Sequence, residues 1–158
     1  MERLWAPWRM TYIRAHSDKA PCFICAGAKR KRDRASLILA RGRTCLTMMN
    51  RFPYNVGHLM IAPYAHKAAL ADLTADERAE LLGMAAGAQR ALDGAFKPAG
   101  YNLGINLGRV AGAGLPGHVH LHIVPRWDGD TNFMPVTAGT KVMPMGLDEA
   151  WRAIHRHL

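Results

Sequence analysis

Between Gly117 and Trp127 the chain reads GHVHLHIVPRW, with His118, His120 and His122 alternating with Val119, Leu121 and Ile123. A period of two belongs to a β-strand, whose successive side chains leave on opposite faces. The imidazoles then share one face and the aliphatic groups the other, so the strand lies over a core with its histidines turned away. Side chains two apart on such a face stand about 7 Å from each other, and three protonated rings at that spacing repel. A structural role explains the row poorly. Imidazole is largely neutral near pH 7, nucleophilic, and able to act as donor or acceptor, so the row points to chemistry.

The rest of the chain supplies a sheet for this strand. Ser36 to Gly42, Arg43 to Asn50 and Gly57 to Tyr64 read as short strands parted by turn residues, in the order of an antiparallel meander. Thr74 and Glu77 form a capping box that opens a helix, and Leu81, Ala85, Ala88 and Leu92 fall on one stripe of it, with Gly94 as its expected stop. Tyr101 to Gly108 and the histidine segment add two strands, and a short helix is expected from about Leu147 to His157. Strands grouped before and after one long helix predict an α+β fold with an antiparallel five-stranded sheet. At 158 residues, one domain is expected over 1–158. It comprises an N-terminal segment (1–35), the sheet and long helix (36–126), and a tail with the last helix (127–158).

No run approaches the roughly 18 apolar residues of a membrane span, and the first residues lack the apolar core of a signal peptide. A cytoplasmic protein is expected. A formal charge of +9 and a pI near 10.0 favour anionic partners without choosing among them. The run KRKRDR at 29–34 is read as a solvated loop in preference to a nucleic-acid patch. Cys22-x-x-Cys25 fits half of a zinc site better than a redox pair, because AGAKRKRDRA after it lacks the amphipathic helix of a thioredoxin-like centre. Cys45 sits inside a strand and is read as core.

The pattern HVHLHIVPR closely resembles the signature of the histidine triad superfamily of nucleotide hydrolases and transferases. The segment NRFPYNVGHLMIAP is similar to that family's nucleotide-binding hairpin, and the ends LWAPWRM and RWDGDTNFMPV resemble a bacterial branch linked to diadenosine tetraphosphate cleavage. The resemblance implies that His120 attacks the α-phosphorus and forms a nucleotidyl-imidazole adduct. It implies that the His118 carbonyl holds the other His120 ring nitrogen protonated, and that His122 donates to phosphate oxygens or the leaving group. Asn50 aligns with a ribose-binding asparagine, Asn106 with a polar residue near the phosphates, and His58 with the hairpin's Gly-His pair.

Gly112 and Gly114, in the loop GAGLPG, are read as a phosphate cradle leading into the triad; a histidine strand, not a helix, follows them, so a dinucleotide-binding fingerprint is rejected. Relatives usually offer Gln, Ser or Thr in this loop, where this chain has Gly114, Leu115 and Pro116. Trp127, ahead of Trp5 and Trp8, is the candidate to stack on a base, and Arg126 faces either phosphate or a surface carboxylate. The family resemblance nominates His66 and His118 to complete a zinc site with Cys22 and Cys25. Four such ligands leave no open position, so the zinc is structural.

The reading is a homodimeric nucleotide hydrolase acting on dinucleoside polyphosphates, diadenosine tetraphosphate above all, with magnesium entering only alongside the polyphosphate. Neither a G-x-x-x-x-G-K-[ST] loop nor a glutamate-rich metal helix competes with it. Three alternatives stay open: phosphorolysis with inorganic phosphate as acceptor, cleavage of a nucleoside phosphoramidate, and a module that binds nucleotide without turnover.

Overall fold

In a computed structural model of the chain, residues 21–132 and 142–158 are described. The expected strands shorten at their turn residues to β1 (Ile38–Arg41), β2 (Cys45–Met49), β3 (Leu59–Pro63), β4 (Gly100–Ile105) and β5 (Leu121–Arg126). All neighbours pair antiparallel, in the order β1-β2-β3-β5-β4. The first three form the meander; β5 then docks beside β3 and leaves β4 at the edge.

β2 and β3 are buried along their whole length because both their faces are covered. On one face Cys45, Met49, Leu59, Ile61, Leu121 and Ile123 meet Leu81 and Leu92 of the long helix α2 (Ala75–Phe96) and Ile154 of α3 (Leu147–His155). On the other face Leu46, Met48, Met60 and Ala62 meet Ile24 of α1 (Phe23–Lys29). β5 keeps the alternation read from its sequence: Leu121, Ile123 and Pro125 are buried, His122 and Val124 half-buried, and Arg126 exposed.

The helix α2 opens on the capping box, with Thr74 Oγ1 accepting from the Glu77 N–H at 3.2 Å and Glu77 Oε2 accepting from the Thr74 N–H at 2.7 Å. It does not stop at Gly94. It runs on to Phe96 and ends at Lys97 in the left-handed region, with φ 46° and ψ 56°. Gly94 serves a close approach instead: a Cβ there would lie 2.6 Å from Nδ1 of His157, just past α3. The two-turn α1 directly follows Cys22, where an amphipathic pattern was missing; seven residues with Ile24 and Gly27 buried are too few to display one. Part of the basic run is tied down, since Arg34 pairs with Asp148 of α3 at 2.5 Å and Asp33 with Arg41 at 2.8 Å.

Glu80 joins α2 to the β1–β2 hairpin. Its carboxylate accepts from the Arg43 N–H at 2.7 Å, the Thr44 N–H at 2.5 Å, the Cys45 N–H at 3.1 Å and the Thr44 hydroxyl. The Thr44 hydroxyl, followed by the Arg43 amide, holds the carboxyl down to about 2. A pKa lower in the folded state than in the unfolded one stabilises the fold above the unfolded value, and that stability fades as pH falls from about 4.5 toward about 2. Glu80→Ala is expected to cost about 1–3 kcal/mol at pH 7, the order of charge-assisted hydrogen bonds lost. Denaturant titrations from pH 7 to 2 check it: the gap to the parent protein should close on the acid side, and a pH-independent gap would contradict the assignment.

Candidate active site and thiol cluster

β5 begins at Leu121, so of the three histidines only His122 lies in a paired strand. His120 and His118 sit just before it, 5% and 0% exposed. His120 Nδ1 lies 2.7 Å from the His118 carbonyl oxygen. A carbonyl only accepts, so Nδ1 carries the proton and Nε2 of the neutral ring keeps its lone pair. Burial pushes the His120 pKa below its ordinary value, against the hydrogen bond to the His118 carbonyl, which raises it. The ring is therefore neutral at pH 7.

The ring of His118 does not join the row expected from alternation. Its Nε2 donates to the Pro63 carbonyl at 2.9 Å, which leaves the Nδ1 lone pair facing Cys22 Sγ at 3.3 Å and Cys25 Sγ at 3.5 Å. Burial lowers the pKa of His118 as well. Cys25 Sγ lies 3.4 Å from His66 Nδ1, and the ligand atoms of Cys22, Cys25, His66 and His118 all fall within 4.8 Å of one another. Sulfur and nitrogen at zinc-ligand bond lengths stand about 3.5 Å apart along a tetrahedron's edge, close to the separations found. Burial raises the Cys25 thiol, with the adjacent Cys22 adding to the rise, so two thiolates side by side call for a cation. The four residues fit a closed metal site.

His122 is oriented by a relay. The Tyr54 N–H donates to His58 Nδ1 at 3.0 Å, and His58 Nε2 lies 2.9 Å from His122 Nδ1. With its Nδ1 accepting, a neutral His58 carries its proton on Nε2 and gives it to His122 Nδ1. His122 then holds its own proton on Nε2, as a donor. The rings of His120 and His122 are 4.8 Å apart, edge to face. His58 is fully buried and therefore works as the partner of His122.

One row of paired residues crosses the sheet on this face: Ile38, Met48, Met60, His122 and Gly104. A cavity of about 400 Å³ opens over Met48 and Met60, walled by Phe23 and Leu37 and rimmed by Asn50 and Arg51. Asn50 Oδ1 accepts from the Phe52 N–H at 2.9 Å, which fixes its carboxamide at that rim. A second cavity, of about 490 Å³, lies on the other side of His122 and holds Asn106, Asn102 and Arg126.

Trp127 and the glycine loop line neither of these cavities. Trp127 falls on the helix side of the sheet and donates through Nε1 to the Phe96 carbonyl at 3.3 Å, closing the end of α2 away from the histidine face. The parity that puts Leu121 and Ile123 on that side puts Trp127 there too. Gly112 adopts φ 87° and donates to the Arg109 carbonyl at 2.8 Å, within a turn of its own loop. Gly114 is half-buried in the same loop, whose Leu115 packs against the α1 cluster. Arg126 meets a carboxylate: it pairs with Asp130 at 2.5 Å and donates to Asn102 Oδ1 at 2.8 Å. Asp130 also accepts from buried Asn55 at 2.9 Å, a bond no local pattern signals. Trp5, Trp8 and residues 133–141 lie outside the described residues.

The HIT domain profile matches residues 31–129, well over half of the chain. The chain belongs to the HIT domain family. A relative named AP-4-A phosphorylase, from Mycobacterium tuberculosis, is 38% identical to this HIT protein over 98% of the chain and 83% of its own length. A bis(5'-nucleosyl)-tetraphosphatase (asymmetrical) of Schizosaccharomyces pombe is 32% identical over 60% of the chain and 52% of its own length. Among solved structures, a Zn-bound histidine triad family protein of Mycobacterium smegmatis shares the fold, with a TM-score of 0.66 at 22% identity, covering 86% of this chain and 91% of that one. The HIT protein thus has the expected α+β architecture. No helix among its described residues is long and apolar enough to cross a membrane.

Proposed function

We propose that the chain cleaves dinucleoside polyphosphates, with diadenosine tetraphosphate as the favoured substrate, at the α-phosphorus through an adduct on His120. One observation carries this reading: the 2.7 Å bond from His120 Nδ1 to the His118 carbonyl, which leaves Nε2 as an unprotonated nucleophile. As the Nε2–P bond forms, the bridging Pα–O bond breaks and the leaving phosphate oxygen departs as an anion, its charge met by the hydrogen bond that His122 donates from Nε2. An acceptor oxygen then attacks phosphorus, the N–P bond breaks with its electron pair returning to His120 Nε2, and the acceptor's proton passes to solvent. The cavity over Met48 and Met60, with Asn50 at its rim, suits a nucleoside whose base needs apolar walls and whose ribose needs a polar edge.

Water and inorganic phosphate both suit the acceptor step, and similarity along nearly the whole chain to a protein named AP-4-A phosphorylase favours phosphate. Product analysis with diadenosine tetraphosphate, with and without phosphate, decides between them. ATP with AMP means hydrolysis, ATP with ADP means phosphorolysis, and tight binding without product would overturn both. Zinc on Cys22, Cys25, His66 and His118 supplies structure and takes no part in these steps. A cytoplasmic homodimer completes the reading; β4 is one of the two edge strands and its Leu103 is 51% exposed, which supports a second copy docking there. Magnesium enters only bound to the polyphosphate.

A further inference from the structure

Gly104 lines the second cavity and leaves its floor open beside His122. Gly104 pairs with His122 across β4 and β5, and a Cβ built on it meets no heavy atom within 4 Å. Any other residue at this position would stand over the sheet beside the catalytic donor. Glycine instead leaves a hollow that begins at His122 and runs along both strands past Asn102 and Val124 to Arg126. From His122 to Arg126 is four residues of strand, roughly 13 Å at the rise of a β-strand. The row Met48, Met60, His122, Gly104 puts this hollow and the apolar cavity on one face, with His122 between them.

The two cavities differ in chemistry. The first has methionine and phenylalanine surfaces; the second has carboxamides at Asn102 and Asn106 and the guanidinium of Arg126. Asp130 and Asn102 together hold that guanidinium in place, and Asp130 is itself bonded to Asn55 and to the Trp127 N–H. Such a fixed set of donors and acceptors suits a polar, extended ligand and not a second buried ring in an apolar slot.

We infer that the trough between β4 and β5 binds the departing nucleoside polyphosphate, the half of the substrate whose leaving oxygen meets the His122 N–H. This rests on the dinucleotide-cleaving reading above. The phosphates nearest the broken bond pass His122 and Asn106, and the far end of the leaving group reaches Asn102 and Arg126. Gly104 is the residue that admits a long leaving group, and it selects dinucleotides over adenylates with small ones.

The test compares kcat/KM for diadenosine tetraphosphate with that for adenosine 5′-phosphofluoridate, whose fluoride leaving group does not extend into the trough, in the parent and in Gly104→Ala and Gly104→Val. Thermal melting checks that each variant folds. The ratio of the two values should fall in steps, by about threefold for alanine and at least about thirtyfold for valine, corresponding to about 2 kcal/mol at 1.4 kcal/mol per factor of ten. A ratio that stays at the parent's value in an active enzyme overturns the trough while leaving the function standing. A parent that cleaves neither substrate overturns the function and the trough with it.

Discussion

His120→Asn is expected to stop turnover of diadenosine tetraphosphate, with kcat falling at least about 10⁴-fold, the order seen when a covalent nucleophile is removed. Asparagine keeps an N–H for the His118 carbonyl, which lies 2.7 Å from the native Nδ1, but it offers no lone pair where Nε2 stood. Because the change is confined to the reacting atom, nucleotide affinity should stay within a few-fold of the parent's. Chromatographic product assays and calorimetric titration with a non-cleavable analogue measure the two quantities separately. Parent enzyme mixed with radiolabelled substrate and quenched in acid should carry label on His120. Turnover by the variant above about one percent, or a parent never labelled during turnover, would remove the adduct from the mechanism.

How much of this was readable beforehand depended on whether the signal was local. The alternation from Leu121 to Arg126 and the capping box at Thr74 are local signals and appear in the fold, although the strand does not reach back to His118 and His120. Gly94 reads locally as a stop because its local meaning is flexibility, while the contact that needs it, His157, lies beyond α3. The partner of His122 is His58, 64 residues away, brought there by the register of β3 against β5. Gly104 likewise gains its meaning only from the residue opposite it. Trp127 is the opposite case, since strand parity alone assigns it to the aliphatic side. The cysteine pair was readable as half a metal site, but its geometry needed the fold, because Cys22 and His118 are 96 residues apart.

That separation makes the thiol cluster the second place where a large effect is expected. Cys22 caps the start of α1, His66 follows β3, and His118 leads into β5 with its Nε2 bonded to Pro63 at the end of β3. A metal on these four residues staples the α1 segment to two strands and fixes the backbone of His118, whose carbonyl sets the proton of His120. The parent is expected to purify with about one zinc ion per chain and the Cys22→Ser, Cys25→Ser double variant with none. Structural zinc contributes several kcal/mol of folding free energy, so the variant should melt lower by about 10 °C, at roughly 2–4 °C per kcal/mol for a domain of this size. Its kcat should also fall, by about tenfold to a hundredfold, as expected when the groups that orient a reacting imidazole are loosened. Elemental analysis and calorimetry on the parent, with and without a strong chelator, give the first two readouts independently of activity. A parent that holds no zinc, or one whose melting is unmoved by chelator and by both serines, would leave His118 fixed by Pro63 alone and make the cysteines dispensable to the histidine they face.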